Sequence, residues 1–336
     1  MLITDIEEVR EYVSVNKSFD LENIAPYLDR AESKYIIPVL GDELYDYLNR
    51  LVNAEQSPDL TETQELILEK ARKALSNFAY ALYLPLAQVQ IDNAGVRIAN
   101  TETMKTAWEW QIRDLQRDFY DAGWLALEDL QKFLEQNAGS GSGSAYDYWL
   151  DSSAYTILKE CFINSADEFD KFYFINKSRR LYSAIKTAMK RVEILHAKPS
   201  LGAEYFDELK TKIKDESLTA DDVKLLDTYL RPAVANLTIA ESISELPVII
   251  GNDALSLFNN ERIINKSDQK DDAQRISALQ QKSLCSGMDF LKALRVFLNE
   301  NASASLYATY FNSDTYSDPE EDNETPEPPA GGGIYF

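Results

Sequence analysis

The chain has 336 residues, 56 acidic and 34 basic, with one histidine and two cysteines; hydrophobic residues make up 45 % and aromatics 11 %. That is apolar enough to bury a core in each of two domains, which excludes global disorder. The formal charge of −22 excludes an ordinary nucleic-acid binder, which relies on Lys and Arg to displace counterions from phosphates.

Cys161 and Cys285 lie far apart without a CxxC spacing, so they fit a reducing compartment and form neither a disulfide framework nor a zinc motif. In chain order, Met1-Leu2-Ile3-Thr4-Asp5 lacks the basic flank and apolar run of a signal peptide. No stretch approaches the ~20 apolar residues that cross a bilayer, so no membrane partner is expected. Thr4-Asp5-Ile6-Glu7 predicts a capping box that opens a short helix ending near Asn16. A second helix starts at about Asp20, with Leu21, Ile24, Leu28 and Ala31 at helical spacing, and Pro38 restricts its extension. Leu40-Gly41 reads as a turn, and Asp42 to Leu51 as another helix. Thr61, with Gln64 three residues on, caps a long helix rich in Ala, Leu and Phe that reaches Pro85 and forms the buried centre. Val89, Ile91, Val96 and Ile98 alternate with polar residues around Asp92-Asn93-Ala94-Gly95, predicting a small β-hairpin. A last helix spans roughly Thr103 to Gln136.

The chain is written twice. Pro38, Leu40-Gly41, Glu43 and Leu48 return as Pro199, Leu201-Gly202, Glu204 and Leu209, an offset of 161. Asn77, Val89, Ile91 and Asn93 return as Asn236, Val248, Ile250 and Asn252 at 159; Gly123, Leu127, Leu130, Phe133, Leu134 and Asn137 return as Gly287, Leu291, Leu294, Phe297, Leu298 and Asn301 at 164. Apolar periodicity does not explain matched Gly, Pro and Asn. The fold class expected is mainly α, with two tandem helical-bundle repeats, each carrying a small β-hairpin. Repeat 1 is assigned to residues 1–137, a Gly/Ser linker to 138–144 and repeat 2 to 145–310. An acidic, Pro/Gly-rich arm at 311–336, with no basic residue, is expected to be disordered by itself.

Chemistry is scarce. His196 is the only histidine, so Ser-His-Asp or Cys-His catalysis has little to build on. Glu193 and His196 form one Glu-x-x-His half of a di-metal helical-bundle site, which requires two; a histidine favoured by a helix end is the simpler reading. No phosphate-binding glycine loop occurs. Neither enzymatic activity nor a cofactor or metal is expected, and no catalytic residue is assigned.

Assembly surfaces are the alternative. Residues 1–137 carry 13 basic and 25 acidic groups, whereas residues 145–310 carry 21 and 24. Arg179, Lys186 and Lys190 share one helical face, expected to be either a solvated surface or a docking face for an acidic neighbour. The hairpin residues Val89, Ile91, Val96 and Ile98 offer sheet edges that an oligomer can pair. Ile334-Tyr335-Phe336 ends the acidic arm as a short apolar anchor.

The opening Met1-Leu2-Ile3-Thr4, Val9-Arg10-Glu11-Tyr12 and the helix end Ala31-Glu32-Ser33-Lys34-Tyr35-Ile36-Ile37-Pro38-Val39-Leu40-Gly41 resemble the start of the head-tail connector (adaptor) proteins of tailed bacteriophages. The run from Leu84-Pro85 to Trp110-Gln111 is similar to phage and prophage proteins of Bacteroidota. The resemblance covers most of the first copy and weakly the second, and these connectors are usually short and single-copy. It implies a structural virion protein that forms a homo-oligomeric ring below the portal and joins capsid to tail. The portal and tail or other connector proteins would be its partners, and double-stranded DNA would pass through without specific binding. A non-viral helical-repeat scaffold that binds other proteins is the alternative.

Overall fold

The computed structural model describes residues 1–16, 19–54, 59–87, 89–92, 95–98, 107–137, 145–245, 248–250, 255–257 and 269–318. The chain is mainly α-helical and divides into two compact units, Met1–Leu158 and Lys159–Phe336. The Gly/Ser segment 138–144 and the anchor Ile334-Tyr335-Phe336 lie outside the described residues.

In the first unit an extended start buries Leu2 and Ile3 completely. Helix α1 (Ile6–Arg10) is capped by Asp5 and Glu8, one residue later than the expected pair. It ends at Arg10, not near Asn16, because the Arg10 guanidinium turns back to the Phe19 carbonyl (3.1 Å) and holds the next loop. Helix α2 (Leu21–Ala31) runs into a π turn (Glu32–Ile36) and then α3 (Ile37–Leu40). Pro38 therefore does not stop the helix as expected. It occupies the first turn after the wider π segment, where a missing N–H and a bulky ring are tolerated.

The second unit repeats the device at Glu193–Ala197 before Pro199, and adds a third π turn, Leu226–Leu230, before Pro232. The first unit has Lys73 where Pro232 stands, and no π turn is described there. Between the capping threonines Thr61 and Thr219 and the matched Arg72 and Arg231, the second copy is one residue longer. The π turn absorbs the insertion without breaking the helix.

Gly41 ends α3 at φ +78°, and α4 (Asp42–Val52) follows. Helix α5 (Glu62–Tyr83) starts at the expected Thr61/Gln64 capping box and buries Ala71, Ala74, Leu75 and Phe78. Strands β1 (Val89–Asp92) and β2 (Gly95–Ile98) pair antiparallel, with Val89 opposite Ile98. Helix α6 (Glu109–Asn137) lies along α5, and Gly123 makes this close approach possible: a Cβ there would stand 2.8 Å from the Phe78 ring. Two short helices, α7 (Ala145–Leu150) and α8 (Ser153–Leu158), return to the Gly41 turn, where the Trp149 indole donates to the Val39 carbonyl at 3.0 Å.

The second unit follows the same order: α9 (Ala166–Asp170), α10 (Arg179–Val192), α11 (Lys198–Leu201), α12 (Ala203–Lys214), α13 (Ala220–Leu225), α14 (Arg231–Glu245), β3 (Val248–Ile250) paired with β4 (Leu255–Leu257), α15 (Gln269–Asn301) and α16 (Ala308–Phe311). Gly287 against Leu237 reproduces Gly123 against Phe78. Asn77 and Asn236 each donate to the carbonyl four residues back at 2.7 and 2.8 Å, and Asn137 and Asn301 do the same at the ends of α6 and α15. Steric closeness thus accounts for Gly123 and Gly287, and hydrogen bonding to the preceding helical turn is shared by Asn77 with Asn236 and by Asn137 with Asn301.

Two expected boundaries change. The repeat does not restart after the Gly/Ser segment. Residues 145–158 belong to the first unit, with Tyr146 and Trp149 in its core. Nor does the arm begin at 311: Ser313 and Thr315 face Gly202 as Ser152 and Ala154 face Gly41. The second unit's closing segment therefore extends to at least Ser317, whose N–H donates to Asn299 Oδ1 at 3.4 Å.

Candidate functional site

The most elaborate arrangement of polar side chains is a lock on the opening segment of each unit. In the first unit the π turn presents Glu32, 2 % exposed, to the buried backbone. Glu32 Oε1 accepts the Leu2 N–H at 2.6 Å, and Oε2 accepts the Tyr45 hydroxyl at 2.9 Å. Burial and the neighbouring Glu32 carboxylate push the Tyr45 hydroxyl well above the usual phenol range, so it stays a donor. Arg72, from α5, donates Nε to the Leu2 carbonyl at 2.9 Å and pairs with Glu8 at 2.8 Å. Glu8 in turn accepts the Thr4 N–H at 2.7 Å. Both polar groups of the Leu2 backbone are satisfied by side chains from distant elements, which allows an extended segment to be buried.

The second unit repeats the lock. Glu193 Oε1 accepts the Phe162 N–H at 2.5 Å, Arg231 donates Nε to the Phe162 carbonyl at 2.9 Å and pairs with Glu168 at 3.0 Å, and Glu168 accepts the Asn164 N–H at 2.6 Å. The difference lies at the second carboxylate oxygen. Lys210, not a tyrosine, donates to Glu193 Oε2 at 2.5 Å, and also to the Glu160 carbonyl at 2.7 Å. Its ammonium lies 4.0 Å from the Phe162 ring centre, a cation–π contact. Burial pushes the Glu193 carboxyl up, against the lowering pull of Lys210 and the Phe162 N–H.

Both Glu193 oxygens are engaged, while His196 is half-buried and its carbonyl accepts the Ser200 hydroxyl. Among the described residues no group of three or more His, Cys, Asp or Glu side chains is placed to hold a metal. Cys161 is fully buried beside Glu193, and burial first, then that carboxylate, pushes its thiol up to about 12; Cys285 is exposed.

Of the three basic residues on this face of α10, Arg179 is internal, whereas Lys186 and Lys190 are half-buried. Arg179 is 4 % exposed and donates to Asp167 at 2.6 Å. Lys190 pairs with Glu160, and burial pulls the Lys186 ammonium below its ordinary range. Arg179 is internal because the start of α10 faces α9, where Asp167 accepts its hydrogen bond. Val89 is half-buried; the side chains of Ile91, Val96 and Ile98, like residues 334–336, lie outside the described residues.

Sequence reasoning missed Glu32, Glu8, Arg72, Arg231 and Lys210. In a chain with 56 acids a single buried glutamate has no local signature. The signal available was duplication: Glu8/Glu168, Glu32/Glu193 and Arg72/Arg231 are identical charged pairs at repeat register.

Among the described residues no helix is long and apolar enough to cross a membrane. The sequence pattern of a family described as a family of unknown function (DUF6712) matches residues 36–157 and again 197–320. Each match starts at the last residue of a π turn and runs into the closing segment, so the family's unit includes the residues that return to Gly41 and Gly202. No curated protein and no solved structure matches the chain.

Proposed function

The chain belongs to the DUF6712 family, and we propose that it is a structural protein of a phage particle. In this reading it is a non-enzymatic head-tail connector subunit that associates with its own copies into a ring beneath the portal and joins capsid to tail in the virion neck. The observation that carries this reading is the apolar surface of α6. Its buried residues begin at Gly123, while Trp108, just before it, and Trp110, in its first turn, are 68 % and 52 % exposed, and Leu115 and Leu125 are exposed further along. Large aromatic side chains left in water at one end of a long helix favour association with another protein.

Charge supports the same reading. Residues 1–158 carry 13 basic and 27 acidic groups, and residues 159–318 carry 21 and 24. An acidic wall repels DNA and lets it slide without sticking. The hairpins and the arm ending in Ile334-Tyr335-Phe336 would contact neighbouring copies, the portal or tail proteins. Electron microscopy of the purified protein, alone and with portal, tests it: closed rings or portal-bound density are expected. Dispersed monomers in both samples would overturn the connector reading and favour a non-viral scaffold that binds other proteins.

A further inference from the structure

One face of the helix pair differs between the two units. In the first, Lys70 lies 5.4 Å over the Phe133 ring and pairs with Asp129 at 2.5 Å, with Lys132 exposed nearby. At the matching positions the second unit has Tyr229, Phe297, Ala293 and Val296. Tyr229 stacks on Phe297 (4.9 Å, 28°), Val296 is 49 % exposed, and a groove of about 400 Å³ opens over them. Asp289, Lys292 and Glu300 complete its lining. The ion pair of the first unit is replaced by an aromatic and aliphatic floor with a charged rim. The third π turn, which the first unit lacks among its described residues, carries Tyr229 to this floor.

We propose that this groove binds the chain's own proline-rich acidic segment, Pro319 to Ala330. Position is the first reason. The Ser317 N–H and the Tyr310 hydroxyl both donate to Asn299 Oδ1, at 3.4 and 2.7 Å, so the chain leaves the unit at the C-terminal end of the helix that walls the groove. From Asp289 to Glu300 the helix rises about 17 Å at ~1.5 Å per residue. The seven steps from Pro319 to Pro326 reach up to about 22 Å in polyproline II conformation at ~3.1 Å each, enough tether to bring Pro326, Pro328 and Pro329 onto the floor.

Chemistry is the second reason. Aromatic-lined grooves take polyproline segments because these are already extended and lose little entropy on docking. Pro319, Pro326, Pro328 and Pro329 supply the rings, and Glu320, Glu321, Asp322, Glu324 and Glu327 supply charge. Lys292 on the rim, and Lys224 at 5.9 Å over the Phe297 ring, can pair with Glu327, the acid set among the three C-terminal prolines. Asp289 and Glu300 stand at the two ends of the lining helix stretch, which places the prolines over the uncharged floor between them.

Hydrogen exchange read by mass spectrometry on the full-length protein tests the proposal, with a synthetic peptide of residues 319–330 as reference. The Glu327 and Ala330 amides, within and beside the docked prolines, should exchange about tenfold more slowly in the protein than in the peptide, at every protein concentration. Ala293→Lys, which fills the exposed floor, and the triple variant P326A/P328A/P329A should each restore the peptide rate with an unchanged thermal melt. Equal rates in wild type and peptide, or protection that survives both variants, would overturn it. Protection lost on dilution would overturn it too, by assigning the groove to a second copy's segment.

Discussion

Glu193 and Phe162 stand 31 positions apart, yet the Glu193 carboxylate accepts the Phe162 N–H at 2.5 Å in the buried interior of the second unit. Glu32 and Leu2 repeat the relationship in the first unit at 2.6 Å. The two locks differ in their other partner, a neutral tyrosine against a lysine, and that difference predicts unequal costs. Glu32→Ala strands a backbone N–H and a hydroxyl, a loss of about 1–3 kcal/mol. Glu193→Ala also removes the carboxylate partner of the Lys210 ammonium, leaving it only the Glu160 carbonyl and the Phe162 ring, and should cost about 3–5 kcal/mol. Urea unfolding followed by circular dichroism compares them; a Glu32→Ala loss as large as that of Glu193→Ala would show that Lys210 adds nothing.

The two positive-φ glycines should respond unequally to alanine. Both carry φ +78°, a conformation that costs an L-residue about 1–2 kcal/mol. At Gly41 the new Cβ would also meet Ser152 Cβ at 2.4 Å, whereas at Gly202 the nearest atom is the Thr315 hydroxyl at 2.9 Å. Thermal melts should therefore rank Gly41→Ala below Gly202→Ala. Adding Ser152→Gly should recover the steric part only; full recovery would mean that φ contributes nothing.

Thiol titration should find one reactive cysteine. Cys161 is fully buried and its thiol is pushed up to about 12, so it stays protonated at pH 8. Cys285 is exposed. A colorimetric thiol reagent should label Cys285 alone in the native protein and both residues in guanidinium. Two equally fast thiols in the native state would contradict the buried placement of Cys161.

Arg179 should behave as an internal residue. Removing its hydrogen bond to Asp167 with Arg179→Ala should cost about 1.5–3 kcal/mol. Lys198→Ala, whose pairing with Asp207 at 3.4 Å is exposed, should change stability by no more than about 0.5 kcal/mol. Chemical denaturation of both variants checks this, and equal effects would return Arg179 to the surface.

Acid should expose the cap of α13. Burial works against the Asp222 carboxylate, but the Thr219 N–H and hydroxyl and the Lys212 ammonium hold it below the usual range. A carboxyl depressed on folding contributes stability above its unfolded value, about 3.9, and loses it as pH falls through the lower folded value. Asp222→Asn should thus cost about 1 kcal/mol at pH 7 as a weakened cap, and less at pH 3. A gap between the two proteins that widens at pH 3 would reverse the sign.

The sequence by itself determined the duplication, the helical class and the capped start of α5. Helix period, capping and turn chemistry act over a few residues, so Thr61, Gln64, Gly41 and Gly202 announce themselves locally. The matched Gly123/Gly287 and Asn77/Asn236 were visible in the same way, although their roles were not. Tertiary structure decided the rest. Whether a carboxylate is solvated or buried depends on which distant segment covers it, and Leu2 lies 30 residues from Glu32. Arg179 looked like surface because helical spacing defines a face without saying what packs on it. Gly/Ser composition reads as a domain linker, whereas Trp149 and Ser152, packing back on the Gly41 turn, decide to which unit the following chain belongs.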